Sequence, residues 1–298
     1  MPDYSLLPDN YIAWLKVASV VICVALLFAV YFMLYYLIKI KRIRKIMNTS
    51  VDDVLFCDIA YFKEKGKRKN QEDSLYISPM RNASTDGIIV AVSDGMGGLN
   101  DGEIVSKYVT DKIADNYPFD FENTEEGAAK IRQISDDIYD KYRLCGGATV
   151  AMVHIMSNAM QFYSLGDSNI ILVRNNKATV LNPKQNYLGV LIKKLATSGE
   201  NTHEAYINKR YRALVDFVGN LNSRVMKTSK PIRLFEDDVI IVCSDGVTDT
   251  VPVVSIPKYT DGSARNIAER LKVTIRARKS KVQDNYTAVV IRMDRNFI

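Results

Sequence analysis

Histidine is nearly missing from this chain: its 298 residues hold only His154 and His203. That is too few imidazoles for a histidine-rich zinc site. His154 lies in an apolar run and reads as a core residue, and His203 lies in a polar stretch. Cysteine is scarce as well. Cys23, Cys57, Cys145 and Cys243 form no CxxC pattern, and their spacing outlines no disulfide frame. They read as buried, reduced thiols, which fits a cytoplasmic location for the main domain. Low-complexity tracts and domain-sized internal repeats are also absent. So is a broad excess of one charge. The net charge is +6, and Lys39, Lys41, Arg42, Arg44 and Lys45 nearly account for it. A cluster so local has a membrane explanation, so nucleic acid is not expected as a partner.

A hydrophobic share of 47% and a charged share of 25% describe an ordinary globular protein. The length suits one large domain of about 240 residues plus an extra segment. That segment is apolar. Residues 17–38 carry no charge, and Ser19 is their one strongly polar side chain. A helix of that length rises about 33 Å, enough for a hydrocarbon core of about 30 Å. Tyr11 and Trp14 stand near one end and Tyr31, Tyr35 and Tyr36 near the other, as interfacial aromatics do. A cleaved signal peptide would have a shorter apolar core and a small-residue cleavage site, whereas this run ends in Leu37 and Ile38 followed by bases. Lys16 is the one base on the leading side, placed to snorkel, and five bases trail. The basic side stays in the cytoplasm, against an anionic leaflet, so the N-terminus is expected outside. The expected division is a tail at 1–11, a transmembrane helix at 12–38, a basic linker at 39–53 and a cytoplasmic domain at 54–298.

In that domain one device recurs. The run 88–92 is apolar and β-branched, like a buried strand, and ends in Ser93-Asp94-Gly95 with Gly97 and Gly98 beyond. The run 239–242 leads into Cys243-Ser244-Asp245-Gly246, and Phe162-Tyr163-Ser164-Leu165 into Gly166-Asp167-Ser168. Alternation and turn residues predict further strands at 54–61, 75–77, 148–155, 160–165, 170–173, 178–181 and 286–293. Those from 148 to 181 read as an antiparallel meander. Helical spacing predicts helices at 103–117, with Asp101 and Gly102 as its cap, and at 124–144 and 264–277. Residues 184–230 are polar, basic and mostly helical in pattern, an excursion covering one end of the sheet.

Six carboxylates thus fall at strand ends: Glu72, Asp73, Asp94, Asp167, Asp245 and Asp284. Like charges brought together disfavour each other's ionised form, and a divalent cation resolves that conflict. An all-oxygen set, with the Gly95 carbonyl added, suits Mg²⁺ or Mn²⁺ rather than zinc. Two such ions about 3.5–4 Å apart lower the pKa of a shared water and make a nucleophile at neutral pH. Arg68, just before Glu72 and Asp73, offers a planar fork for phosphate.

Arg68-Lys69-Asn70-Gln71-Glu72-Asp73, Val92-Ser93-Asp94-Gly95-Met96-Gly97-Gly98, Gly147-Ala148-Thr149-Val150, Leu165-Gly166-Asp167-Ser168, Cys243-Ser244-Asp245-Gly246-Val247-Thr248-Asp249 and Asp284-Asn285-Tyr286-Thr287 together resemble, in order, the motif series of the metal-dependent serine/threonine protein phosphatases (PPM, type 2C). The resemblance covers roughly 55–293, and the Asp-Gly-Met-Gly-Gly form is similar to the bacterial branch. It implies an α+β fold: a β-sandwich of two antiparallel sheets with helices on both outer faces. It implies two Mn²⁺ or Mg²⁺ ions at one end of the sandwich. Asp94 matches the bridging ligand and Gly95 the carbonyl ligand. Asp73 and Glu72 match residues around the same centre, Asp245 and Asp284 ligands of the other ion, and Arg68 the phosphate-binding arginine. Members of this type often hold a third, weaker ion, and Asp167 and Asp249 match its ligands. The excursion at 184–230 resembles the family's flap.

Two departures accompany it. Met96 stands where animal members carry a histidine proposed as general acid, which leaves water to protonate the leaving alkoxide. Asn182-Pro183-Lys184-Gln185-Asn186 lacks the usual acidic opening before the flap. The expected function is a single-pass membrane phosphatase acting in the cytoplasm on phosphoserine and phosphothreonine in proteins. A membrane serine/threonine kinase is the expected opposing partner. The alternative is a catalytically weak PPM-like domain that binds phosphoproteins or a kinase at the membrane.

Overall fold

The computed structural model describes residues 9–47, 56–97, 101–142, 146–199, 201, 213–278, 280 and 282–294. Gly98, Cys145, His203, most of the tail and much of the linker lie outside the described residues. The chain divides into two compact units, Met1–Val54 and Leu55–Ile298.

Among the described residues, the first unit is one helix, α1 (Asp9–Met47). It runs past the expected end at 38 into the basic stretch. Its segment Lys16–Tyr36 has a mean hydropathy of 2.8 and buries none of its side chains, so it is long and apolar enough to cross a membrane. Ser19 donates its hydroxyl to the Lys16 carbonyl at 2.8 Å, which satisfies that polar group within the helix.

The second unit stacks two antiparallel sheets. One holds β1 (Phe56–Glu64), β12 (Tyr286–Asp294), β11 (Val239–Cys243), β7 (Asn169–Arg174) and β8 (Lys177–Val180), in that spatial order. The other runs β10 (Ile232–Arg233), β6 (Ala159–Leu165), β5 (Val150–Met156), β3 (Ile88–Met96) and β2 (Asp73–Ile77). Two short strands extend it: β4 (Gly147–Ala148) beside β3 and β9 (Met226–Lys227) beside β6.

Alternation assigns each strand residue to a layer. Ile88, Val90 and Val92 of β3 meet Ile240 and Val242 of β11 and Val289 and Ile291 of β12 in the core between the sheets. Ile89 and Ala91 point the other way, to a core shared with α3 (Asp101–Asp115) and α4 (Thr124–Tyr142). Ile241 and Val290 pack against Ile267, Leu271 and Ile275 of α7 (Ala264–Ala277) on the opposite outer face. Strands buried on both sides read as continuous apolar runs, which is why 88–92 and 239–242 stand out. Each buried Val, Ile or Leu contributes about 1.5–3 kcal/mol. α7 starts where Ser263 accepts the Asn266 N–H, and it buries the i, i+4 stripe Ile267, Leu271, Ile275.

Three expectations need correction. The strands from 148 to 181 are no single meander. β5–β6 and β7–β8 are hairpins in different sheets, and the chain crosses between them at Gly166-Asp167-Ser168. The strand at 88 does not stop before Ser93-Asp94-Gly95 but continues to Met96, because Gly95 and Met96 find partners in Ala148 and Gly147. Asp101 and Gly102 lie inside α3 rather than capping it. In the excursion, the described helix is α5 (Tyr187–Ser198); residues 213–225 are turns and isolated bridges, two of which tie Val218 to Ala148 and Leu214 to Asn186.

Candidate active site

In the register of β2 and β3, Asp73 stands directly opposite Asp94. The next pair on the same face is Leu75 with Val92, which belongs to the core between the sheets. The two carboxylates therefore close one end of that core. Like charges placed opposite in a sheet repel. Asp73 is only 1% exposed. Its Oδ2 accepts the Ser244 hydroxyl at 2.8 Å, and Ser244 Oγ in turn accepts the Thr287 N–H at 3.0 Å. The Thr287 hydroxyl lies nearby and eases the charge, but among the described residues Asp73 Oδ1 has no hydrogen-bond partner. Burial pushes the Asp73 carboxyl up to about 6, and the Asp284 charge adds to the rise. Asp94 is raised well above the usual carboxylate range, first by burial and then by the charges of Asp73, Asp245, Asp167 and Asp284.

Thr149 holds the Asp94 peptide from both sides. Its N–H donates to the Asp94 carbonyl at 2.8 Å, and its Oγ1 accepts the Asp94 N–H at 3.0 Å. This is why the strand predicted at 148–155 breaks between β4 and β5. Gly95 donates its N–H to the Glu72 carbonyl at 3.0 Å. A Cβ on Gly95 would overlap the Gly102 and Glu72 carbonyls, so α3 can pack this close only against glycine.

The other sheet supplies Asp245 and Asp284. Ser244 follows β11 and stands at the start of the short helix α6 (Asp245–Thr248). Burial and the charges of Asp167, Asp249 and Asp284 push Asp245 up to about 7, against the opposing charge of Lys184. Asp249 is exposed and follows α6. Asp284 precedes β12; its Oδ1 accepts the Asn285 N–H at 2.8 Å and its Oδ2 accepts Arg68 Nη2 at 2.6 Å. Asn285 fastens the loop that carries Arg68 and Glu72. Its Nδ2 donates to the carbonyls of Lys65 at 2.7 Å and Asn70 at 2.9 Å, and its Oδ1 accepts the Glu72 N–H at 2.8 Å. Glu72 is also raised, by burial first, while Arg68 lowers it.

Asp167 sits on the crossover between the sheets, buried and raised by that burial. Asn186 Nδ2 donates to its Oδ2 at 3.3 Å while Asn186 Oδ1 caps α5 through the Gly189 N–H at 3.1 Å. Gln185 exchanges two bonds with Gly166, each 3.0 Å. The segment lacking an acidic opening is thus packed onto the crossover, with an amide and the Lys184 charge at Asp167.

Asp73, Asp94, Asp245 and Asp284 are brought together, with Glu72 and Arg68 beside them and Asp167 and Asp249 acting on Asp245 by charge. The donors are carboxylate and carbonyl oxygens, one of them orphaned and buried, which suits a hard divalent cation. Among the described residues no three His, Cys, Asp or Glu side chains form a closed ligand set; Asp284 is instead bonded to Arg68. Sequence reading assigned no role to Thr149, Ser244 and Asn285. Each is adjacent to or shares a motif with an expected site residue, which was the available signal.

No protein-family model matches the chain. It is similar to the "Serine/threonine phosphatase stp" of Listeria monocytogenes serotype 4b (strain F2365), with 24% identity over 218 residues, 69% of this chain and 84% of that protein. Its fold matches the S. agalactiae serine/threonine phosphatase with a TM-score of 0.70 and 20% identity, covering 80% of this chain and 99% of the other. It also matches the catalytic domain of the phosphatase PstP, solved in complex with two manganese ions, with a TM-score of 0.66 and 22% identity over 80% and 99% of the two chains. These likenesses show the fold of the serine/threonine phosphatases and, taken with the order of the motifs, support a bacterial PPM-type (type 2C) serine/threonine phosphatase.

Proposed function

We propose that this chain is a membrane-anchored, metal-dependent phosphatase that removes phosphate from serine and threonine residues of proteins. The observation that carries it is the facing pair Asp73–Asp94, closed off by Ser244 and flanked by Asp245, Asp284 and Arg68. Carboxylates raised by burial and further by one another's charge fit a site meant for cations. Asp94, the Gly95 carbonyl, Asp73, Glu72, Asp245 and Asp284 would hold a pair of Mn²⁺ or Mg²⁺ ions, and Asp167 and Asp249 a weaker third. Bound there, the ions would supply a nucleophilic water at neutral pH.

The chain's own residues do the rest. Arg68 is exposed and gives Nη2 to Asp284, which leaves the other donors of its fork for phosphoryl oxygens. Ser244 fixes the direction of the Asp73 carboxylate. His154 is buried against Phe121 and bonded to the Asp86 carbonyl, and burial lowers its pKa, so it is no proton donor here. With Met96 after Gly95, the leaving alkoxide takes its proton from water. α1 is the anchor, and the bases trailing its apolar run put the large unit in the cytoplasm, where a membrane serine/threonine kinase would be the opposing enzyme. Anchoring raises the effective concentration on membrane substrates.

The alternative, a weakly catalytic binder of phosphoproteins, draws on the amide and Lys184 charge at Asp167. The test is hydrolysis of a phosphothreonine peptide by the full chain in detergent, with Mn²⁺ or EDTA, beside Asp245→Ala. Metal-dependent hydrolysis that disappears in the variant supports the phosphatase. Phosphopeptide binding without turnover favours the binder.

A further inference from the structure

A groove of about 250 Å³ opens next to the site. Glu64, Lys65 and Lys67 line one side, and Arg276, Gln283 and Tyr286 the other. The sides are tied where the Lys67 N–H donates to the Gln283 carbonyl at 2.8 Å. Gly66 makes this possible: its φ is +64°, and a Cβ there would overlap the Asp284 carbonyl. Each side then continues into the site by one residue. Lys67 is followed by Arg68 and Gln283 by Asp284, and those two are bonded at 2.6 Å.

The groove is basic. Lys65, Lys67 and Arg276 are exposed, as are Lys63, Lys69 and Arg278, each two residues along the chain from one of them. Its one acid, Glu64, is engaged by Arg276 at 2.7 Å. Among the described residues, Lys65 and Lys67 have no ion-pair partner. The volume lies below the roughly 300–1,000 Å³ of sites for small organic ligands, and suits one or two short side chains.

We propose that this groove takes acidic side chains flanking the phosphorylated residue, so that the enzyme prefers serine and threonine sites in acidic sequence. This rests on the phosphatase reading above. With the phosphoryl group at Arg68, the neighbouring residues of an extended peptide reach the groove, and their carboxylates meet Lys65 and Lys67. Several exposed charge pairs acting together lower KM about tenfold. The preference weakens as salt screens them.

The experiment compares the full chain in detergent with Mn²⁺ on two phosphothreonine peptides, one flanked by glutamates and one by glutamines. p-Nitrophenyl phosphate, which has no flank, reports the site itself in every variant. The expected result is a KM about tenfold lower for the acidic peptide with similar kcat, shrinking at high salt and abolished in the double variant Lys65→Glu, Lys67→Glu. Equal KM values at low salt in the unchanged chain, or a preference that survives in the double variant, overturn the proposal. A double variant that keeps the peptide preference but loses phosphopeptide turnover only when reconstituted into phosphatidylserine liposomes also overturns it and makes the surface lipid-facing. No hydrolysis of any of these substrates by the unchanged chain strikes instead at the phosphatase reading.

Discussion

Asp73 and Asp94 face each other across the pairing of β2 and β3, two carboxylates on one rung at the end of a hydrophobic core. The sheet accepts this arrangement at a cost that depends on pH. Folding raises Asp73 from 3.8 to about 6 and Asp245 from 3.8 to about 7, and Asp94 moves in the same direction. The folded state then holds protons that the unfolded chain has released. Stability from these groups is full below the unfolded value and is lost as pH rises through the folded ones. In EDTA, Tm is expected to fall between about pH 4 and pH 7. With Mn²⁺ present, Tm is expected to be higher and this slope reduced, because cation binding favours the ionised form. Thermal melts across that range check it; an EDTA curve that rises with pH would contradict it.

Ser244 links Asp73 to β12. Ser244→Ala leaves Asp73 Oδ2 without its hydroxyl donor and the Thr287 N–H without its acceptor. Unfolding by denaturant is expected to show a loss of about 1–3 kcal/mol. Mn²⁺ affinity, read by calorimetry, is expected to fall as well, since the carboxylate is no longer held in one direction.

Gly95 and Gly102 allow α3 to lie against the end of β3. Gly95→Ala forces a Cβ into the Gly102 and Glu72 carbonyls. Overpacking of this kind costs about 1–3 kcal/mol, and backbone atoms yield less readily than side chains. A Gly95→Ala protein as stable as the parent would show that α3 is not packed this way.

Arg68→Lys keeps the charge and removes the fork. If the guanidinium takes the phosphoryl oxygens, kcat/KM is expected to drop about 10²-fold, the scale of losing a positioned donor. Full activity in the lysine variant would assign Arg68 to its ion pair with Asp284 alone.

Much of this was legible in the sequence, for identifiable reasons. Strands buried on both faces produce unbroken apolar runs, so β3 and β11 declare themselves, and helical spacing marks α7 at its observed bounds. Asp94, Asp167 and Asp245 stood out because each follows a strand run, and Glu72, Asp73 and Asp284 because each stands just before one. What stayed hidden is non-local. The hairpins β5–β6 and β7–β8 alternate alike whichever sheet they join, so the crossover at Gly166-Asp167-Ser168 left no mark. The extension of β3 to Met96 depends on Ala148 and Gly147, more than fifty residues away, and the grip of Asn285 on the Arg68 loop joins opposite ends of the domain.

The most direct measurement of the central claim is release of phosphate from a phosphothreonine peptide by the full chain in detergent, with Mn²⁺ and with EDTA, beside Asp94→Ala. The account predicts turnover with Mn²⁺, none with EDTA, and a loss of at least about 10²-fold in the variant. Turnover that persists in EDTA, or that Asp94→Ala leaves intact, would contradict it.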